Sequence, residues 1–316
     1  FPHPVICFLL ALYHLLESAV LFLVPESYRQ KDVLGKRVLI TGGGSGIGQL
    51  MAVRFARLGC RIALWDIDEH GMVRTKQMIA KELGKSSTTD VKICQCYKVD
   101  VSQLEQINST AEQVRRDFGG AVDILVNNAG VVSGKNLLDL SDEEIRRTFD
   151  VNTIAHYRTV RAFLPAMIEQ RSGHIVTIAS VLSHLSGCKV TDYCGSKFAL
   201  VGFDQSLRME LARVGLERDI RTTIVKPFLI QTGLFEGAEP GAFAALRPDY
   251  VAERVVSAVR ANKSELVLPG FFVVFFWLAL LLPARAALYS VNTVGALDVM
   301  THFCGRRNSE KVRKNK

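Results

Sequence analysis

The 316-residue chain lacks the cysteine pattern of a disulfide scaffold. Its seven cysteines, at 7, 60, 94, 96, 188, 194 and 304, are odd in number, and no C-x-x-C occurs. Free thiols in a reducing compartment follow more readily than a bridged framework. No His/Cys/Asp cluster has metal-ligand spacing, so no resident metal is expected. Cys94 and Cys96 alternate along a predicted strand instead of closing a site. There is no internal repeat, which excludes a solenoid or propeller. Positive charge is not scarce, at +8 overall, but it is unevenly placed. Residues 305–316 hold Arg306, Arg307, Lys311, Arg313, Lys314 and Lys316 against Glu310 alone. A basic tail beside apolar segments fits an anionic membrane surface better than nucleic acid; a solvated tail is the other reading.

Long apolar runs are few, and neither of the two is a clean membrane span. Residues 5–24, "VICFLLALYHLLESAVLFLV", are about long enough to cross ~30 Å of hydrocarbon as a helix. His14 and Glu17 are costly at a bilayer centre, so the segment is expected to lie shallow or tilted. No small-residue cleavage site follows, which argues against a signal peptide. Pro25 ends the run, and Arg29, Lys31, Lys36 and Arg37 after it predict that the rest of the chain lies on the cytosolic side. The second run, 271–282, is twelve apolar residues bracketed by Pro269, Gly270 and Pro283. As a helix it reaches only about 18 Å, short of a span. It reads as a helix greasy on every side that dips into one leaflet, or that covers a subunit interface. The chain thus divides into an anchor at 1–25, a main domain at 36–269, an apolar membrane-associated segment at 270–300 and a basic tail at 305–316.

Hydrophobic content of 48% with 22% charge is ample for a packed core. From Lys36 onward, short β-rich runs alternate with helical stretches. Strands are predicted at 37–41, 61–66, 91–99, 123–128, 174–180, 221–227 and 265–269. Most are continuous apolar runs, as in buried parallel strands. Capping boxes are predicted at Ser102 to Glu105 and Ser141 to Glu144. "GKSSTTD", 84–90, reads as a loop. The fold class is α/β, a doubly wound parallel sheet in one main domain.

"VLITGGGSGIG" sets Gly42, Gly46 and Gly48 between a strand and a helix. A tight turn and a close-lying diphosphate both require residues without side chains, and the helix N-terminus offers N–H groups to phosphate. Asp66 follows Gly48 by 18 residues, at the end of the next strand. A carboxylate there accepts from a ribose 2′-hydroxyl and repels a 2′-phosphate, and Ser45 is no cation to hold one. NAD is therefore expected over NADP. Asp68 reads as a turn residue.

The spacing Thr41 to Gly48 (T-G-x-x-x-G-x-G), Asn127-Asn-Ala-Gly130 and Tyr193-Cys-Gly-Ser-Lys197 together resemble the short-chain dehydrogenase/reductase family over residues 36–268. "LWDID", "AFLPAMI", "DYCGSKFALVGF" and "TGLFEG" are similar to its membrane-associated retinol and 17β-hydroxysteroid dehydrogenase branch. The resemblance implies a Rossmann-type fold and a catalytic set of Asn152, Ser180, Tyr193 and Lys197. Tyr193 and Lys197, four apart, share a helix face. A nearby ammonium lowers the tyrosine's pKa from about 10, so it can take the alcohol's proton. Ser180 is implied to hydrogen-bond the reacting oxygen, and Asn152 to hold a water in the proton relay. For the cofactor, the resemblance implies contacts from Thr41, Gly42, Ser45, Gly46, Ile47, Gly48, Asp66, Asp100 (adenine), Asn127, Tyr193, Lys197 (ribose) and Thr232 (carboxamide). Phe228 follows Pro227 where the family commonly has glycine, and it is expected to wall the substrate pocket with Phe235.

Residues 234–250 sit where a mobile lid belongs, with Phe235, Phe243 and Leu246 as its apolar lining. His184 reads as a loop histidine and His174 as a turn or edge residue. The implied substrate is a lipophilic alcohol, retinol first and a 17β-hydroxysteroid next. A membrane scaffold with a decaying enzyme domain and a soluble polyol dehydrogenase are the readings from other classes. Membrane lipid and a second copy of the chain are the expected partners, at the endoplasmic reticulum or a lipid droplet with the catalytic domain facing the cytosol. Asn108 and Asn262 head glycosylation motifs that a cytosolic domain leaves unmodified.

Overall fold

The computed structural model describes residues 24–84, 93–293, 295 and 297–305, with isolated positions at 5, 8, 9, 12, 13, 15 and 16. Most of the expected anchor at 1–25, the loop beyond Gly84 and the tail beyond Gly305 lie outside the described residues.

All seven β-rich runs form strands: β1 (Arg37–Thr41), β2 (Arg61–Asp66), β3 (Cys94–Lys98), β4 (Ile124–Asn127), β5 (Gly173–Ile178), β6 (Ile220–Pro227) and β7 (Glu265–Leu268). They make one sheet in the order β3-β2-β1-β4-β5-β6-β7. Every pairing is parallel. The helices are α1 (Gly46–Arg57), α2 (Glu69–Glu82), α3 (Leu104–Phe118), α4 (Asp142–Phe149), α5 (Ala155–Glu169), α6 (Thr191–Arg213), α7 (Pro248–Arg260), α8 (Phe272–Leu281) and α9 (Ala284–Asn292). The period-2 pleat sends Val38 and Ile40 to one face of the sheet and Leu39 to the other. The first face packs on α1, α2 and α7 through residues such as Met51, Phe55 and Val255. The second packs on α3, α5 and α6 through Val114, Phe163 and Leu207. The sheet is therefore doubly wound.

Local chemistry decides the helix starts. Ser141 closes its capping box: its hydroxyl accepts from the Glu144 N–H at 3.2 Å, and the Glu144 carboxylate accepts from the Ser141 N–H at 3.1 Å. The box expected at Ser102 does not form. The Ser102 hydroxyl instead donates to Asp100 Oδ1 at 2.7 Å, and α3 starts at Leu104 behind Gln103. An acceptor two residues back competes with the cap. Between α4 and α5, Asp150–Ile154 form a π turn, an irregularity frequent at functional sites. His174 is not an edge residue. It is 1% exposed, with Nε2 2.7 Å from Thr223 Oγ1 and Nδ1 2.9 Å from the Lys31 amine.

The second apolar run is helical over α8, as its composition requires, but its sides differ. Phe272 and Phe276 are buried, whereas Val274, Trp277 and Leu281 are exposed. Among the described residues, no helix is long and apolar enough to cross a membrane.

Candidate active site

A cavity of about 400 Å³ opens at the C-terminal ends of the strands, and its lining includes the loops that follow β1 and β4. The chain winds outward in opposite directions from that point, where α/β sheets bind ligands.

One half is built on the glycine turn. Gly42, Ser45, Gly46 and Ile47 line it, with Asp66, Asp100 and Thr232. Gly42 and Gly46 have φ of 67° and 56°, which glycine adopts without strain. A side chain at Gly46 would project beside Thr232, 3.6 Å from its methyl carbon. Ser45 caps α1 without a side-chain hydrogen bond, and it lines the cavity with Gly46 and Ile47, so this helix N-terminus suits an anion. These residues fit a dinucleotide: glycine backbone and a helix N-terminus for the diphosphate, and a carboxylate one strand away. In the structure, Asp66 accepts from the Gly44 N–H at 2.8 Å and the Asp68 N–H at 2.9 Å. Asp68 caps α2 by accepting from Gly71. Asp100 accepts from the Ser102 N–H and hydroxyl.

Three expected contact residues stand behind the cavity wall. The Thr41 hydroxyl accepts from the N–H groups of Asn128 and Ala129, at 2.9 and 3.0 Å. A side chain at Gly48 would fall 2.2 Å from the Gly42 carbonyl oxygen, so this glycine serves helix–loop packing. Asn127 is 1% exposed and turned to Thr159, whose hydroxyl donates to its Oδ1 at 2.8 Å. Its neighbour Asn128 lines the cavity and donates to the Thr41 and Gly42 carbonyls.

Ser180, Tyr193 and Lys197 converge on the other half, all buried and all lining the cavity. Ser180 follows the end of β5, and the other two share one face of α6. The start of α6 is held from the π turn. Asn152, fully buried, donates to Ser196 Oγ at 3.1 Å, and Thr153 donates to the Ser196 carbonyl. Asn152 also exchanges hydrogen bonds with the backbone of Val131, at 2.8 and 2.9 Å. Asp192 accepts from Ser133 and Thr148. A side chain at Gly130 would lie 3.4 Å from Asn152 Oδ1 and 3.9 Å from the Lys197 amine, so the glycine leaves space between them.

The electrostatics differ from the expectation of a tyrosine depressed by its lysine. Burial pushes the Tyr193 phenol up, and the hydrogen bond from Ser180 only partly opposes it. Burial also lowers the Lys197 amine to about 7. That amine donates to the Ile178 carbonyl at 2.8 Å and sits 5.6 Å from the Tyr193 ring centroid. Desolvation is the largest cause for both groups.

The outer wall is aromatic. Phe228, Phe235, Phe243, Phe272 and Phe275 line it. Phe235 meets the Tyr193 ring edge-on at 5.4 Å, and Phe228 stacks on Phe272 at 5.0 Å. Leu246 does not line the cavity; it packs in the main core, and an isolated bridge pairs it with Ile230. His184 stays outside the cavity, stacked on Phe276 at 4.5 Å. Sequence reasoning missed Val299 and Met300, which also line the cavity. Met300 packs with Tyr193 and Phe235. Residues 297–305 fold back over the site: Glu239 N–H donates to the Val299 carbonyl, and Cys304 N–H to that of Glu236. No local pattern announces this return. Among the described residues, no cluster of His, Cys, Asp or Glu could hold a metal.

The short chain dehydrogenase family profile matches residues 36–241. Epidermal retinol dehydrogenase 2 of Homo sapiens is 41% identical over 302 residues, 94% of each chain. 17-beta-hydroxysteroid dehydrogenase 13 of Rattus norvegicus is 36% identical over 283 residues, 90% of each chain. Among solved structures, a short chain dehydrogenase/reductase from Burkholderia phymatum in complex with NAD superposes with a TM-score of 0.69 at 26% identity, covering 78% of this chain and 93% of that one. The family match over residues 36–241 and the relatives that share more than a third of their residues over nine-tenths of the chain show that it belongs to the short chain dehydrogenase family, as an oxidoreductase acting on the CH–OH group.

Proposed function

We propose that the protein oxidises a lipophilic alcohol with NAD, retinol being the first candidate. The observation that carries this reading is the aromatic wall: Phe228, Phe235, Phe243, Phe272 and Phe275 enclose the approach to Tyr193, and a polar substrate would lose its hydration there without compensation. NAD, when bound, would supply the hydride acceptor. Tyr193 receives the hydroxyl proton of the alcohol, Ser180 hydrogen-bonds the same oxygen, and Lys197 supplies positive charge that favours the phenolate. Asn152 braces the start of α6, keeping Tyr193 and Lys197 in register, and holds the relay water. Gly42, Ser45, Gly46 and Ile47 would hold the diphosphate, Asp66 the adenosine ribose, Asp100 the adenine and Thr232 the carboxamide. Thr41, Gly48 and Asn127 support these contacts from behind. The exposed side of α8 rests on a membrane, so that substrate enters from lipid beside Phe243 and Phe275, and the protein works at the endoplasmic reticulum or a lipid droplet.

The test is a panel of retinol, estradiol and a long-chain alcohol, run with NAD and NADP on membrane-bound protein. Retinol with NAD should give the highest kcat/KM. A preference for estradiol would transfer the assignment to a 17β-hydroxysteroid, and no turnover of any lipid alcohol would overturn it. Tyr193→Phe should abolish turnover and leave NADH binding intact.

A further inference from the structure

Behind Lys197 lies a buried polar cluster that does not line the cavity. Asn127 and Thr177 face each other across β4 and β5. Both point to the side packed on α5 and α6, because Leu125 and Ile175, two residues earlier on each strand, belong to that core. On α5, His156 and Thr159 are three apart and share a face. Thr159 is joined to Asn127 by its hydroxyl, at 2.8 Å. Four atoms of this cluster are buried without a hydrogen-bond partner among the described residues: Asn127 Nδ2, both ring nitrogens of His156, and Thr177 Oγ1. Unsatisfied polar atoms are costly in a dry interior, and four in one place call for an explanation. Their chemistry is complementary. The amide donates, a neutral imidazole donates at one nitrogen and accepts at the other, and the hydroxyl does both. One water, which makes about three hydrogen bonds in such sites, can serve the Asn127 amide, the Thr177 hydroxyl and one of the two His156 ring nitrogens.

We propose that Asn127, His156 and Thr177 hold an internal water behind Lys197, and that through it His156 is a positioning residue for the Lys197 ammonium. The proposal rests on the role given to Lys197 above. His156 is 2% exposed, and burial together with the Lys197 charge holds its pKa at about 3. The ring is therefore a neutral dipole at every working pH. The titratable groups facing Lys197 are Tyr193 from its own helix and His156 from α5. The strand β5 presents the Ile178 carbonyl, and the π turn presents the Asn152 amide. Asp192, also buried on α6, is engaged by Ser133 and Thr148. Hydration from the His156 side thus favours the charged form of Lys197. Without it the ammonium weakens, and Tyr193 accepts a proton only at higher pH.

The experiment combines a high-resolution crystal structure of the protein with pH profiles of alcohol oxidation for His156→Phe, His156→Gln and Thr177→Val. The structure should show a water bonded to Asn127, His156 and Thr177. His156→Phe should move the rising limb of kcat/KM to higher pH by about one unit. His156→Gln, which keeps a donor and an acceptor, should stay near wild type, and Thr177→Val should move the limb the same way by less. NADH affinity should be unchanged in all three. A dry site would overturn the proposal, as would water present with superimposable profiles for Phe and Val. If His156→Phe does not fold, Thr177→Val and the crystal structure decide. If the wild-type protein turns over no alcohol, the functional reading fails, and electron density at the cluster still decides the water site.

Discussion

Burial sets the price of the Lys197 amine: its pKa falls from 10.5 to about 7. Between those values the unfolded chain binds a proton that the folded amine has released, so this group's contribution to stability rises with pH across the window. Below about 7 the folded protein carries a buried charge at full cost. Lys197→Met should therefore abolish turnover yet raise thermal stability at pH 6, by about 1–3 kcal/mol, with the gain shrinking toward pH 10. Melting temperature against pH, measured on both proteins, checks the sign. Asp66 carries a separate prediction. Asp66→Asn keeps the shape and one of the two hydrogen bonds from the Gly44 and Asp68 N–H groups, because its amide nitrogen cannot accept the other, and removes the charge that repels a 2′-phosphate. The kcat/KM ratio for NADP over NAD should rise about 10–100-fold, corresponding to roughly 1–3 kcal/mol. An unchanged ratio would remove Asp66 from cofactor choice.

At the scale of elements, the two capping motifs make a controlled pair. Ser141→Ala should cost about 1 kcal/mol, because it breaks a formed box on α4. The return of residues 297–305 depends on glycines elsewhere in the chain. Gly237 has φ of 83°, and a side chain there would fall 2.2 Å from the His302 carbonyl oxygen; one at Gly134 would fall 2.1 Å from the Phe303 ring. Gly237→Ala should detach this segment from residues 236–239 and speed proteolysis near residue 300 far more than it lowers the melting temperature. Limited proteolysis with mass spectrometry would show whether cleavage moves there. The strands were readable because their apolar runs are local. The π turn at Asn152 was not, since "FDVNT" fits an ordinary helix and only packing against Val131 and Ser196 selects the wider turn.

For the whole molecule, α8 separates two roles that composition merges. Phe275 and Leu278 line the cavity, Leu278 while also exposed, whereas Val274, Trp277 and Leu281 do not line it and form an exposed stripe at i, i+3 and i+7. Charging the first pair would confuse substrate binding with membrane contact. Lysines at the three stripe positions should weaken partition to lipid vesicles by about tenfold or more, while turnover of a water-soluble alcohol is preserved. Vesicle flotation measures the first and a soluble assay the second. Unchanged partition would leave this face to a partner subunit.

By itself the sequence determined the strand set, the doubly wound class, the glycine turn with Asp66, and the helical pairing of Tyr193 with Lys197. Each is written in periods of two, three or four residues, or in residue types that a turn requires. Tertiary structure alone decided that Asn127 turns from the cavity to Thr159, that His156 comes to lie behind Lys197, and that Met300 covers Tyr193. It also decided that both members of the catalytic pair are buried, which raises the phenol and lowers the amine. These outcomes depend on contacts between positions up to about a hundred residues apart and on the water each contact excludes, which no local pattern encodes.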